Sequence, residues 1–425
     1  MTVVGVLVLG VVPAQAAATG SAIAVDSTLD VVDFSGERRV ADLPGADGRI
    51  SLREAAIAST NTPGPNAISF DIPTSDPGFD GTGFTIGVEP ATRDQGLILG
   101  DDGTTLDGMT QPGGYPITVQ GGGPAEFEVG LTITSSGNTV RGLAWRLYDR
   151  GIQVSGAHNL LTGLSVHDGG GGVAVFGETG IESGLGDNAV TDSVIADNAR
   201  SAVTLLRTPN NTVSGNTITG NGNTGVYLND SDGADISANT ITANGVGLHV
   251  PSFGDATTVS VTDNTIAANT GDGVMVDTAG VRISRNRIYD NGELGINLRW
   301  PREDEYGVNK NGKGGPPNFP DHLSATGGAD GTVVEGRITD YDTAQSVTIE
   351  LYASEQPDPS GHGEGRVFLS TASADRRGGF TTTLPGDMVG TYLSATATHA
   401  DGTTSEFSET VPTQPDNGAK GNGKG

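Results

Sequence analysis

Between residues 145 and 200, ionisable side chains recur at fixed offsets from buried-type residues. One position after Trp145, Val166 and Ile195 stand Arg146, His167 and Ala196, and one position further stand Leu147, Asp168 and Asp197. If these three segments stack, Asp168 and Asp197 become neighbours. Two like charges one layer apart raise one carboxyl pKa or recruit a cation, and Ca2+ takes such oxygen ligands. Arg200, on the following turn, is placed to neutralise them instead. A base with a cationic partner is what a lyase needs to remove a proton alpha to a uronate carboxylate. The candidate catalytic set is therefore His167, Asp168, Asp197 and Arg200, with Arg146 for substrate and Asp168 with Asp197 for metal. The competing reading is that both aspartates are corner residues retained for turn chemistry.

A second charged group closes the repetitive region: Arg282, Arg285, Arg287, Arg299 and Arg302. An acidic polysaccharide could dock on Arg282, Arg285 and Arg287. The plainer reading pairs these arginines with Asp290, Glu293, Glu303, Asp304 and Glu305, as interspersed surface charges commonly do. Other chemistries find no support. An inverting glycosidase needs two carboxylates some 6.5–9.5 Å apart, whereas Asp101-Asp102 and Gly361-His362-Gly363 fall in separate parts of the chain. Cysteine is absent, which excludes thiolate metal sites and a Cys nucleophile. The acidic turn Asp230-Ser231-Asp232-Gly233 does not match EF-hand spacing. The sequence establishes no cofactor, and Ca2+ is the candidate ion.

What positions these groups is a repeat. VSGNTITGN at 213–221 returns as ISANTITAN at 236–244, VTDNTIAAN at 261–269 and ISRNRIYDN at 283–291. Asn221, Asn244, Asn269 and Asn291 are spaced by 23, 25 and 22, and Asn216, Asn239, Asn264 and Asn286 make a second file. Looser copies reach back to Val140, so seven coils are legible between 138 and 300. Apolar residues fall in short period-two runs separated by Gly and Asn, the pattern of a parallel β-helix. Successive coils then lie about 4.8 Å apart. Aliphatic positions stack into a core and asparagines into ladders. The same period in a leucine-rich repeat would need a denser Leu pattern.

Upstream, AISFDI, FTIGV, TTLDG, PITVQG and LTITSSG read as strands of less regular coils. Ser51 and Glu54 make a capping box, with Leu52, Ala55 and Ala56 on one apolar face, so 51–59 predicts a short helix plugging the first coil. Residues 309–322 read as a Gly/Pro/Asn linker, 323–411 as a small antiparallel β-sandwich of Ig-like type, and 412–425 as a disordered tail. The apolar run 3–13 with Ala14-Gln15-Ala16 reads as a signal peptide over 1–16. A net charge of −28 argues against nucleic acid and anionic membrane as partners.

SLREA at 51–55, LDGMTQPGGYP at 106–116, VRGLAW at 140–145, the N-x-I-x-x-N coils and DGTTSEFS at 401–408 together make the chain resemble a known group. It is similar to bacterial exported proteins with an N-terminal C-S-L-R-E-A motif and right-handed parallel β-helix repeats. The resemblance spans roughly 24–411, with Ile50 in the place of the motif's cysteine. It implies an all-β fold, a right-handed β-helix of about 24–308, and export, but no single activity. β-Helices of this kind include pectate lyases, polygalacturonases, alginate epimerases and adhesins, so function must be argued from the site. The expectation is a monomeric protein, secreted or loosely attached to the cell surface, with a polysaccharide or cell-surface glycan as partner. Noncatalytic binding and lyase or hydrolase action on an acidic polysaccharide both remain open.

Overall fold

The computed structural model describes residues 20–88, 96–123, 128–177, 185–251, 258–299, 317–339 and 346–416. Three parallel sheets wind around a common axis as a right-handed parallel β-helix. Sheet A runs from Ala22–Val25 to Val281–Ser284, sheet B from Phe84–Gly87 to Arg287–Tyr289, and sheet C from Leu97–Leu99 to Ile296–Leu298. Each strand pairs in register with its counterpart one coil away: Ile195 with Ile218, Ile218 with Ile241, Ile241 with Ile266 and Ile266 with Ile288. The strands are only three to six residues long in the regular coils, because each contributes one or two inward side chains before the chain must turn. Those inward residues form one continuous buried core from Ile23 to Leu298.

The turns explain the asparagines. Between sheets A and B the corner residue is Gly142, Gly163, Asp192, Gly215, Ala238, Asp263 or Arg285. Between sheets B and C it is Leu147, Asp168, Asp197, Gly220, Ala243, Ala268 or Asp290. All have a left-handed backbone. The chain therefore bends inward just after each corner, where an asparagine can hold the coil closed. Asn198, Asn221, Asn244, Asn269 and Asn291 are buried, and each of the first four side-chain amides donates to the next Oδ1 at 2.9–3.1 Å. The second file, from Asn216 to Asn286, repeats the arrangement at 2.9–3.0 Å. A third, Asn138–Asn159–Asn188–Asn211, lies at the corner leading into sheet A.

Both ends of the stack are covered. Ser51 and Glu54 form the expected capping box on the helix Leu52–Thr60, whose Leu52, Ala55, Ala56 and Ala58 are buried. The helix closes the first edge of sheet C: Thr60 Oγ1 donates to the Ile98 carbonyl and accepts from the Gly100 amide, both at 3.0 Å. Ile50 is partly buried and packs against the core. At the other end, residues 317–416 contain two four-stranded sheets. One orders Gly379–Leu384, Gly331–Arg337, Asp321–Gly328 and Gln414–Pro415. The other orders Val367–Ser373, Thr348–Ser354, Tyr392–Thr398 and Val411–Pro412.

Two boundaries differ from the sequence reading. Residues 412–416 are not a featureless tail, because Pro412 pairs with Tyr392 and Gln414 with Thr326. These backbone pairings need no apolar side chains, which is why composition hid them. The linker is also shorter than 309–322, since Phe319 is buried and Asn318 bonds the Thr339 carbonyl. The signal stretch 1–16 and the tail beyond 416 lie outside the described residues.

Candidate functional site

Stacking puts Asp168 and Asp197 at adjacent corners, one step beyond the His167–Ala196 pair, and brings together part of the predicted cluster. His167 Nδ1 lies 2.9 Å from Asp168 Oδ2, and Arg146 is 3.9 Å from the same oxygen. Arg200 instead reaches two coils back across Gly170, donating to Asp149 Oδ1 at 2.7 Å and to its carbonyl at 2.8 Å. Asp197 is exposed, and its corner is filled by Gly220, Ala243 and Ala268 in the following coils. Among the described residues no three His, Asp or Glu side chains converge as metal ligands.

The arginines of the last coil are also dispersed. Arg285 sits at a corner and makes two bonds to Asp263, at 2.9 and 2.5 Å, which hold that carboxyl below its usual range and raise the guanidinium. Arg287 donates to the Arg366 carbonyl at 3.2 Å. Arg282 is exposed on sheet A, and Arg302 lies outside the described residues.

Sheet C carries the denser chemistry. Its strands are buried on the inner face, and register aligns their outward positions into one file: Gln153, Ala174, Thr204, Tyr227, His249, Met275 and Asn297. At one end Arg150 donates to Gln153 Oε1 at 2.6 Å and lies over the Phe176 ring at 4.7 Å. Towards the other end the Tyr227 and His249 rings meet edge to face at 5.5 Å. His249 Nε2 is 3.0 Å from Asp277 Oδ2. Arg299 Nη1 donates to Met275 Sδ at 3.0 Å, and its Nε lies 3.7 Å from Asp277 Oδ1.

Asn297 donates to Asp272 Oδ2 at 3.0 Å and the Leu294 amide to Oδ1 at 3.0 Å, while burial pushes the Asp272 carboxyl up to about 6. The outward faces of sheets A and B carry runs of Ser and Thr, as in Thr217, Thr240 and Thr265, with Gln120, Arg146, His167 and Tyr289 on a separate file of sheet B. The sequence reading missed this file because it counted register from the residues of sheet B. Counting from Val226, Leu248, Val274 and Ile296 would have brought Tyr227, His249, Met275 and Asn297 into line.

Fold and face together define a right-handed parallel β-helix protein with one chemically distinctive sheet. The sequence profile of the family described as Periplasmic copper-binding protein (NosD) matches residues 101–291. Similar solved structures include the A-module of mannuronan C-5 epimerase AlgE4 from Azotobacter vinelandii. It is 15% identical, the match covers 58% of this chain and 68% of that one, and the TM-score is 0.46. An alginate lyase from Paenibacillus sp. str. FPU-7 is 14% identical over 65% of this chain and 97% of that one, with a TM-score of 0.34. The tailspike protein of E. coli bacteriophage HK620, in complex with a pentasaccharide, is 8% identical over 79% and 74%, at 0.33. No curated protein matches the sequence.

The copper in that family description can be tested against the donors present. His249, Met275 and Asp277 bring an imidazole, a thioether and a carboxylate to one face, and copper accepts such ligands. The Arg299 guanidinium stands among them, bonded to the sulfur and beside the carboxylate. A fixed positive charge opposes a second cation. These residues do not fit a bound copper.

Proposed function

We propose that this is an exported protein, secreted or loosely held at the cell surface, that lays an extended polysaccharide along the outer face of sheet C. The carrying observation is the in-register file from Gln153 to Asn297 with Phe176, Asp277 and Arg299 beside it. Polymer recognition needs repeated polar groups and apolar ring faces at regular intervals, and a stack of coils about 4.8 Å apart supplies both. Export is supported by the apolar run and A-x-A site of the sequence. No helix among the described residues is long and apolar enough to cross a membrane.

The test is calorimetry of the full chain with alginate, polygalacturonate and neutral oligosaccharides. Tyr227→Ala and Arg299→Ala should each weaken binding about tenfold, the equivalent of about 1.4 kcal/mol. Asp168→Asn and Asp197→Asn should leave it unchanged. Binding indifferent to both sheet C substitutions removes this reading.

One observation favours a catalytic reading as well. Asp277 fixes the orientation of the His249 ring, and Tyr227 stands beside it. His249 would take the proton alpha to a uronate carboxylate whose charge Arg299 balances. The glycosidic C–O bond then breaks, Tyr227 protonates the departing oxygen, and an unsaturated uronate end remains. Ultraviolet absorbance of new unsaturated ends, abolished by His249→Ala, distinguishes elimination from binding alone.

A further inference from the structure

A β-helix ends in open edges, since the last strand of each sheet has donors and acceptors with no coil to pair with. Here three edges are at stake: Val281–Ser284, Arg287–Tyr289 and Ile296–Leu298. The C-terminal domain reaches all three. On sheet A, Thr404 donates its amide to the Val281 carbonyl at 3.1 Å, and its hydroxyl accepts from the Ile283 amide at 2.9 Å. Glu350 accepts from the Ser284 hydroxyl at 2.5 Å and the Arg285 amide at 2.9 Å. On sheet B, Ile288 and Gly365 exchange two backbone bonds, at 2.9 and 2.8 Å. On sheet C, Glu406 accepts from the Leu298 amide at 2.9 Å.

Glu364 shows what this contact imitates. Within the ladder, each Oδ1 accepts from both the amide nitrogen and the side-chain nitrogen of the asparagine one coil back. Asn291 Oδ1, for example, accepts from Asn269 at 3.2 and 2.9 Å. Among the described residues the ladder has no asparagine beyond Asn291. Glu364 takes its place, accepting from the Asn291 amide at 3.2 Å and from Nδ2 at 2.8 Å. Tyr352 and Phe407 extend the β-helix core across the junction.

We propose that the C-terminal domain is a stand-in for the next coil, and that the face it covers is a self-association face whose alternative occupant is the same face of a second copy. The antiparallel bridge at Ile288 and Gly365 shows that this edge accepts an antiparallel partner. Two copies related by a twofold axis present each other with antiparallel edges of that kind. The opposite end of another copy is a poorer match, because the helix Leu52–Thr60 already occupies the first edge of sheet C there. Three acidic side chains thus set where the β-helix stops and keep the protein single.

The full chain carrying Glu350→Ala, Glu364→Ala and Glu406→Ala tests this by hydrogen exchange and sedimentation. Amide protection over 281–298 should fall at least tenfold while 213–266 stays protected. Sedimentation should show a concentration-dependent dimer where the wild type is monomeric. Glu364→Gln keeps one acceptor for Asn291, so it should remain monomeric and protected. A triple variant that stays monomeric, or one that keeps its protection, overturns the proposal, as does Glu364→Gln behaving like Glu364→Ala. If the triple variant does not fold, Glu364→Ala alone decides on the same two readouts.

Discussion

At Asp197 the backbone φ is +53° and the side chain faces solvent, and the equivalent position one coil on is Gly220 with φ +70°. Holding an L-residue left-handed costs roughly 1–2 kcal/mol, least for Gly, Asn and Asp. That cost accounts for the aspartate without any ligand. Replacing Asp197 by Gly should therefore change stability by no more than about 0.5 kcal/mol, whereas Val, branched at Cβ, should lose about 1–2 kcal/mol. Urea denaturation measures both. A large loss with Gly would mean that the carboxylate itself is used, and would return Asp197 to the candidate site. Tyr227 and His249 stand differently, since flat sheet positions impose no such backbone demand and the residue type is left to the chemistry of the surface.

On the scale of a strand and its corners, the asparagine ladder does the work that side chains of a wider core would do elsewhere. Asn244 accepts from the Asn221 amide at 3.1 Å and from its Nδ2 at 2.9 Å, and donates to Asn269 at 3.1 Å, all out of contact with water. Asn221 Nδ2 also reaches the Ile195 and Thr219 carbonyls, both at 3.1 Å, but its amide has no such alternative. Asn244→Ala should thus cost about 2–3 kcal/mol, from one stranded donor and the lost bonds. Thr242→Ala, on the outer face two residues earlier, should cost about 0.5 kcal/mol. Denaturant midpoints with unchanged m-values would confirm the contrast.

These elements were readable in advance because burial writes its period into the sequence. Ile218, Ile241, Ile266 and Ile288 must all point inward, so their spacing shows. The Asn138–Asn159–Asn188–Asn211 ladder was harder to see, because the connection between Phe176 and Ala189 stretches one interval. The file on sheet C is legible only when register is counted from Val226, Leu248, Val274 and Ile296. Outward residues are bound by no core, and corners of varying length separate them from the repeat that anchors the count.

Over the whole molecule, the stack is closed by a helix at one end and by a second domain at the other, and the second closure is sensitive to protons. Burial pushes the Glu364 carboxyl up to about 7 from an ordinary 4.5, against the two Asn291 donors that pull it down, and Asp358 and Asp290 add to the rise. Between those values the unfolded chain has already released the proton that the folded chain still holds. Folding then takes up a proton, so stability falls as pH rises, by on the order of 3 kcal/mol across the window. The contribution is fully present below about 4.5 and lost above about 7. Glu364→Gln resembles the protonated acid at every pH. Its stability should match the wild type near the acid end, exceed it progressively through the window, and keep a constant lead beyond it. Urea titrations of both proteins between about pH 4 and 8 give the difference directly, with every other titrating group cancelled. A difference that does not vary with pH would show that acceptance from Asn291 offsets burial, and a wild type that gains on Glu364→Gln as the carboxylate ionises would show that it outweighs burial. The end of the ladder would then be held by charge rather than in spite of it.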